Sequence, residues 1–192
     1  MTRITALTGG IGAGKSTIAR VLRTWGYPVY DCDSRARCIM DEDDGIKRRI
    51  AEEIDLETVV DGIIDRAKLS EIVFSDKEKL SRLNSIVHAA VRADLRRWAA
   101  ESDSDRVFVE TAILYSSGLC HDVDDELRVT ASVETRVERV MRRNGFSRSH
   151  IEARIASQAA EENPANPVAN VFLIDNGGTV PVLPRLHAYL RR

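Results

Sequence analysis

Gly9-Gly10-Ile11-Gly12-Ala13-Gly14-Lys15-Ser16 fits the pattern G-x-x-x-x-G-K-[ST] at every position. Its flanks decide what the match means. Directly before it runs the apolar stretch Ile4–Leu7, which reads as a strand. Directly after it Ile18, Val21, Leu22 and Trp25 recur at i, i+3, i+4 and i+7, one face of a helix that packs on a sheet and stops at Gly26. A strand, a glycine-rich turn and a helix N-terminus together make an anion cradle. Without β-carbons the backbone N–H groups can close around phosphate oxygens, and the helix end adds about half a positive charge. Lys15 supplies a mobile full charge for the β- and γ-phosphates, and Ser16 a hydroxyl for Mg2+, with Thr17 one step further along. Gly10, Gly12, Ala13, Gly14, Lys15, Ser16 and Thr17 are therefore the residues expected to hold a nucleoside triphosphate. A dinucleotide-binding reading fails, because the glycine spacing differs and a lysine takes the third glycine position of G-x-G-x-x-G. Since switches and motor ATPases carry the same loop, the reaction must be read elsewhere.

Further out, short apolar runs at Pro28–Tyr30, Val107–Val109, Leu127–Val129 and Val171–Ile174 alternate with helical patterns, as βα units of a parallel sheet do. The expected fold class is α/β: a P-loop NTPase fold with a five-stranded parallel sheet flanked by helices. Between the second and third of these strands lie roughly 75 residues without a strand signal, far more than a crossover needs. Ile46, Ile50 and Ile54 make one helical stripe there, and Leu80, Leu83, Val87, Val91, Leu95 and Trp98 another, which predicts a helical cap. The expected organisation of residues 1–192 is one domain, with a nucleotide-binding core at 1–33 and 105–192, a helical acceptor-binding insert at 34–104 and a lid at 136–155.

Composition narrows the function classes. The 28 Lys and Arg against 30 Asp and Glu give a formal net charge of -2, so no global field attracts a polyanion and any anion site is local. Aromatic residues are only 5%, too few for a surface that stacks single-stranded nucleic acid. Cys32, Cys38 and Cys120 are an odd set without metal-ligand spacing and read as reduced cytoplasmic thiols. The apolar N-terminal stretch is short and broken by glycines, so no membrane role is expected.

The second predicted strand ends in Val29-Tyr30-Asp31-Cys32-Asp33, and ligands of open α/β sheets bind at the carboxyl ends of strands. A carboxylate there can accept the proton of an attacking hydroxyl late in phosphoryl transfer, for which Asp33 is the candidate base. Asp31 would then hold Mg2+ through water, or either aspartate would cap the helix beginning near Ser34. Arg136, Arg139, Arg142 and Arg143 recur at spacings of three and four, with Arg148 and Arg154 beyond a turn at Gly145. They read either as a lid over the triphosphate or as a solvated face paired with Glu134, Glu138 and Glu152.

The run Leu7–Thr17, followed by Asp31-Cys32-Asp33, resembles the start of the dephospho-CoA kinases, where the second strand typically ends Asp-Ala-Asp. Asp61-Gly62-Ile63-Ile64-Asp65-Arg66, Leu69, Val73-Phe74 and Leu83-Asn84-Ser85-Ile86-Val87-His88 resemble that family's successive blocks, as do Gln158 and Ile174-Asp175-Asn176-Gly177. The resemblance implies transfer of the ATP γ-phosphoryl group to the ribose 3′-hydroxyl of dephospho-CoA, giving CoA and ADP, with ATP and Mg2+ required. By it, Asp33, Lys15 and Arg139 are catalytic, Arg143, Asn176 and Gly177 join the ATP site, and Arg66 and His88 join Asp33 at the acceptor. No nucleic-acid or membrane partner is expected, and the chain should act as a monomer or weak homo-oligomer in the cytoplasm. Three positions depart from the pattern. Ala89 replaces a usual proline, Cys32 a usual alanine, and Thr111–Ser116 lacks a usual acidic residue, leaving Glu110 as the carboxylate placed to approach Mg2+ through water. Still open are a kinase for another small acceptor, such as a nucleoside or nucleotide, and a nucleotide-dependent switch ATPase.

Overall fold

β-Branched and aliphatic residues in short runs, each followed by a helix, suit strands covered on both faces. The computed structural model, which describes residues 2–178 and 180–191, places five of them in one parallel sheet. In chain order β1 (Arg3–Thr8), α1 (Lys15–Thr24) and β2 (Val29–Asp31) come first. The helical segment α2 (Cys32–Glu42), α3 (Asp44–Glu53), β3 (Val59–Val60), β4 (Ile63–Ile64), α4 (Arg66–Ser75) and α5 (Lys77–Ala100) follows. Then come β5 (Arg106–Glu110), β6 (Asp125–Thr130), α6 (Val133–Asn144), α7 (Arg148–Ser157), α8 (Ala159–Glu162), β7 (Val171–Asp175) and α9 (Val182–Leu190).

The sheet order is β2-β5-β1-β6-β7. β1 is central, with Ile4 opposite Val107 on one side and Leu7 opposite Leu127 on the other. Side chains alternate between faces. Leu7, Leu127 and Val129 point into a core completed by Ile18, Ala19 and Leu22 of α1, Phe108, Ile174, and Leu186 and Tyr189 of α9. Each fully buried aliphatic side chain here contributes about 1.5–3 kcal/mol. Trp25 does not join them. The helix ends at Thr24, and Trp25, 39% exposed, meets the ring of His187 edge-on at 6.3 Å. Trp25 is the C-cap, its N–H still bonded to Val21 O at 3.0 Å, so the last position of the stripe falls at the helix end and outside the core.

Contacts divide the chain into two compact units, Met1–Tyr30 with Ala99–Arg192, and Asp31–Trp98. In the second unit Ile46, Ile50 and Ile54 are all buried, as are Val91 and Leu95, while Leu80, Leu83, Val87 and Trp98 are half-buried and Ile86 is fully buried. The α5 stripe thus lies slightly rotated from the expected one. α5 runs unbroken through Ala89, as a helix without the proline at that position can. The expectation of a segment free of strands is corrected by a two-stranded antiparallel ribbon, with Val59 opposite Ile64 and Val60 opposite Ile63. Its turn is Asp61-Gly62, both residues at positive φ (51° and 74°), the mirror-image turn that matches the twist of paired strands. An Asp-Gly between two β-branched pairs was the signal, outweighed by the helical stripes on either side.

Among the described residues, no helix is long and apolar enough to cross a membrane.

Candidate active site

β1 ends at Thr8, and the glycine-rich segment turns from it into α1, with Gly9, Gly12 and Gly14 at φ 138°, 79° and 103°. Gly14 is the N-cap of α1 in the left-handed region, and any β-carbon on it would strike the Asn176 side chain. Glycine is therefore required both by backbone and by space. The Lys15 ammonium folds back over the loop and donates to Gly9 O at 2.5 Å and Gly10 O at 3.4 Å. Those loop carbonyls hold the charge at the mouth of the cradle.

Ser16 Oγ donates to Glu110 Oε1 at 2.8 Å. Glu110 closes β5 and Ser16 opens α1, so the two meet because β5 lies beside β1 in the sheet. A hydroxyl and a carboxylate side by side are oxygen donors of the kind a hard cation takes, with the remaining positions left to water and phosphate. Thr17 is exposed, its amide bonded to Gly14 O.

The outer wall comes from β7 and α6. Asn176, just past β7, donates Nδ2 to Ala13 O at 2.8 Å and accepts at its main-chain oxygen from Arg139 Nη2 at 2.7 Å. Arg139 Nη1 is buried and has no partner among the described residues. Gly177 N donates to Asp175 Oδ1 at 2.9 Å, a local turn. Arg143 is exposed and bonds Asn144, and Arg148 pairs with Glu134 and Glu152. The basic helix therefore divides: Arg142 and Arg143 are exposed, while Arg136 and Arg139 turn inward. Arg136 is buried against the loop, a placement that spacing alone did not distinguish.

In the helical unit, Asp31 is the cap of α2: its carboxylate accepts from Ser34 N at 3.1 Å and Ser34 Oγ at 3.0 Å. Asp33 sits in the first turn, exposed. Capping thus falls to Asp31, and Asp33 is left to solvent. Arg66 is ion-paired with Asp41 at 2.7 Å, and His88 lies half-buried on α5. Asp61, Gly62 and Asp65 have local structural duties, the first two as a turn and Asp65 as the cap of α4.

One group escaped the sequence reading. Glu126 is fully buried on the sheet face opposite α1 and accepts from Thr8 Oγ1, Tyr115 Oη and both Arg128 Nε and Nη2, at 2.5, 2.5, 2.7 and 2.9 Å. Burial pulls its carboxyl upward, but these donors outweigh burial and hold it below its ordinary value. Tyr115 is pushed up to about 12, first by burial and then by its bond to Glu126. Charged residues at alternate strand positions were the available signal, masked because they usually mark a wet face.

A complete phosphate-binding loop at the carboxyl end of the central strand of a parallel sheet, with a hydroxyl–carboxylate pair beside its lysine, defines a P-loop nucleotide-binding protein. Within that class the chain belongs to the dephospho-CoA kinase family, whose family model matches residues 3–181. It is 38% identical over 164 residues to a dephospho-CoA kinase of Porphyromonas gingivalis, covering 85% of this chain and 81% of that one. Likewise it is 38% identical over 183 residues to a dephospho-CoA kinase of Thermus thermophilus, covering 95% and 87%. Among solved structures it is similar to the crystal structure of TT1252 from Thermus thermophilus, with a TM-score of 0.80, 37% identity and 99% and 97% of the two chains covered. In fold it is also similar to a dephospho-CoA kinase from Campylobacter jejuni, with a TM-score of 0.69, 22% identity and 100% and 97% covered.

Proposed function

We propose that the chain transfers the γ-phosphoryl group of ATP to the ribose 3′-hydroxyl of dephospho-CoA, forming CoA and ADP, the last step of coenzyme A biosynthesis. The observation that carries this is the intact loop Gly9–Ser16, with Lys15 held over it and Ser16 bonded to Glu110, in a chain of the dephospho-CoA kinase family. In the step, the acceptor oxygen forms a bond to the γ-phosphorus, the bond from that phosphorus to the β–γ bridging oxygen breaks, and ADP leaves. Asp33 takes the hydroxyl proton, a role its exposure and freedom from capping support. Lys15 neutralises charge on the β- and γ-phosphates. Arg139, anchored through Nη2 and with Nη1 unpartnered among the described residues, would neutralise charge on the transferred group. The Ser16 hydroxyl and the Glu110 carboxylate, directly or through water, would hold Mg2+, which when bound would supply screening of phosphate charge. Asn176 and Gly177, with Arg143, complete the nucleotide side, and Arg66 and His88 the acceptor side. The working compartment is the cytoplasm, a reading supported by Cys32, Cys38 and Cys120 being an odd set without metal-ligand spacing.

The test is a coupled assay of ADP release with purified protein, Mg·ATP and candidate acceptors. ADP release that depends on dephospho-CoA is expected. Turnover of nucleosides in its place, or hydrolysis at the same rate without any acceptor, would overturn the assignment.

A further inference from the structure

Position 10 is a glycine for a reason its own backbone does not supply. Unlike Gly9, Gly12 and Gly14, it lies outside the left-handed region, and the loop pattern leaves the position free. What excludes a side chain is space. A β-carbon on Gly10 would collide with Arg136 Nη2 and Glu162 Oε1, and would stand 2.7 Å from Arg136 Cζ. The Arg136 side chain, only 5% exposed, therefore lies directly beneath the loop. Its Nε donates to Ile11 O at 2.8 Å and its Nη1 to Glu162 Oε1 at 2.7 Å.

The bond to Ile11 O has a geometric result. A trans peptide points its C=O and N–H in opposite directions. Ile11 O and Gly12 N–H belong to one peptide, so drawing the oxygen down onto Arg136 turns the Gly12 amide away from α6. The same logic holds one unit on, where Asn176 draws down Ala13 O and so turns the Gly14 amide. Ile11 N is held from beneath as well, by Gln158 Oε1 at 2.8 Å. Glu162, at the end of α8, fixes the guanidinium and so ties the loop to the chain that follows the two lid helices.

We propose that Arg136 is a positioning residue for phosphoryl transfer: clamped by Glu162 beneath Gly10, it orients the Gly12 amide toward the polyphosphate. The inference rests on the reading of Gly9–Ser16 as the ATP cradle, and calorimetry separates the two. Mg·ATP is titrated into wild type, Gly10→Ala, Arg136→Ala and the double variant. Each single change should weaken binding about ten-fold, the scale of one charge-assisted hydrogen bond. The double variant should bind no more weakly than Arg136→Ala alone, since the added methyl no longer meets the guanidinium, and Glu162, released from Arg136 and 35% exposed, can swing away from it. Wild-type affinity in Arg136→Ala, or losses that multiply in the double variant, would overturn the proposal. Absence of binding by the wild type would instead sink the cradle reading. Glu162→Gln carries the test should Arg136→Ala fail to fold. With dephospho-CoA as acceptor, its KM for ATP should rise several-fold with the acceptor KM unchanged, whereas a lower kcat at unchanged ATP KM, the mark of a smaller folded fraction, would count against the role.

Discussion

Three carboxylates near the ends of strands have three different fates, and each follows from what the side chain touches. Asp31 caps α2, Glu110 accepts from Ser16, and Asp33 is exposed. Asp33→Asn keeps size and shape but cannot take a proton. The variant should bind Mg·ATP as the wild type does while kcat falls by about 10²–10⁴, the usual reach of a general base; unchanged turnover would remove Asp33 from the mechanism. Glu110→Gln should leave folding intact and raise the Mg2+ concentration needed for half-maximal rate, because an amide oxygen is a poorer donor to a hard cation than a carboxylate. A magnesium titration at saturating ATP checks it, and an unshifted curve would assign Glu110 only to holding Ser16.

Among the elements, β6 is the one whose two faces do most different work. Leu127 and Val129 fill the α1-side core, while the fully buried Glu126 pairs with the partly covered Arg128 and accepts from Thr8 and Tyr115. Glu126 has a lowered pKa in the fold, so its contribution is present above the ordinary carboxylate value of 4.5 and is lost as pH falls through the folded value. Glu126→Gln leaves the largely covered Arg128, 13% exposed, without its counter-ion and should cost about 3 kcal/mol. Urea unfolding at several pH values would show a lower midpoint near neutrality and a flatter acid arm than wild type. Equal acid arms would mean that Glu126 titrates alike in folded and unfolded chains. Neither partner of this pair was legible as buried from the sequence, since alternate charged positions on a strand ordinarily face water. The helical face of α1 and the stripe Ile46, Ile50, Ile54 were legible, because period alone places them on one side. The ribbon at 59–64 was missed because two-residue strands are too short to show a period.

For the molecule as a whole, a ligand that binds only the folded state raises its stability by mass action. At a hundred-fold excess of free Mg·ATP over its Kd the gain should be about 2.7 kcal/mol, visible as a rise in Tm that a Lys15→Met variant lacks. No rise with wild type would contradict nucleotide binding. The phosphate loop, the five strands around it and the family can be read along the chain, because these reside in neighbouring residues and short periods. Tertiary structure alone decided that Glu110 meets Ser16 across 94 positions and that Arg136 meets Ile11 across 125. It likewise decided which arginines of one helix are buried. Spacing along a helix records only angle around its axis, whereas burial and pairing depend on what the sheet order brings against that face.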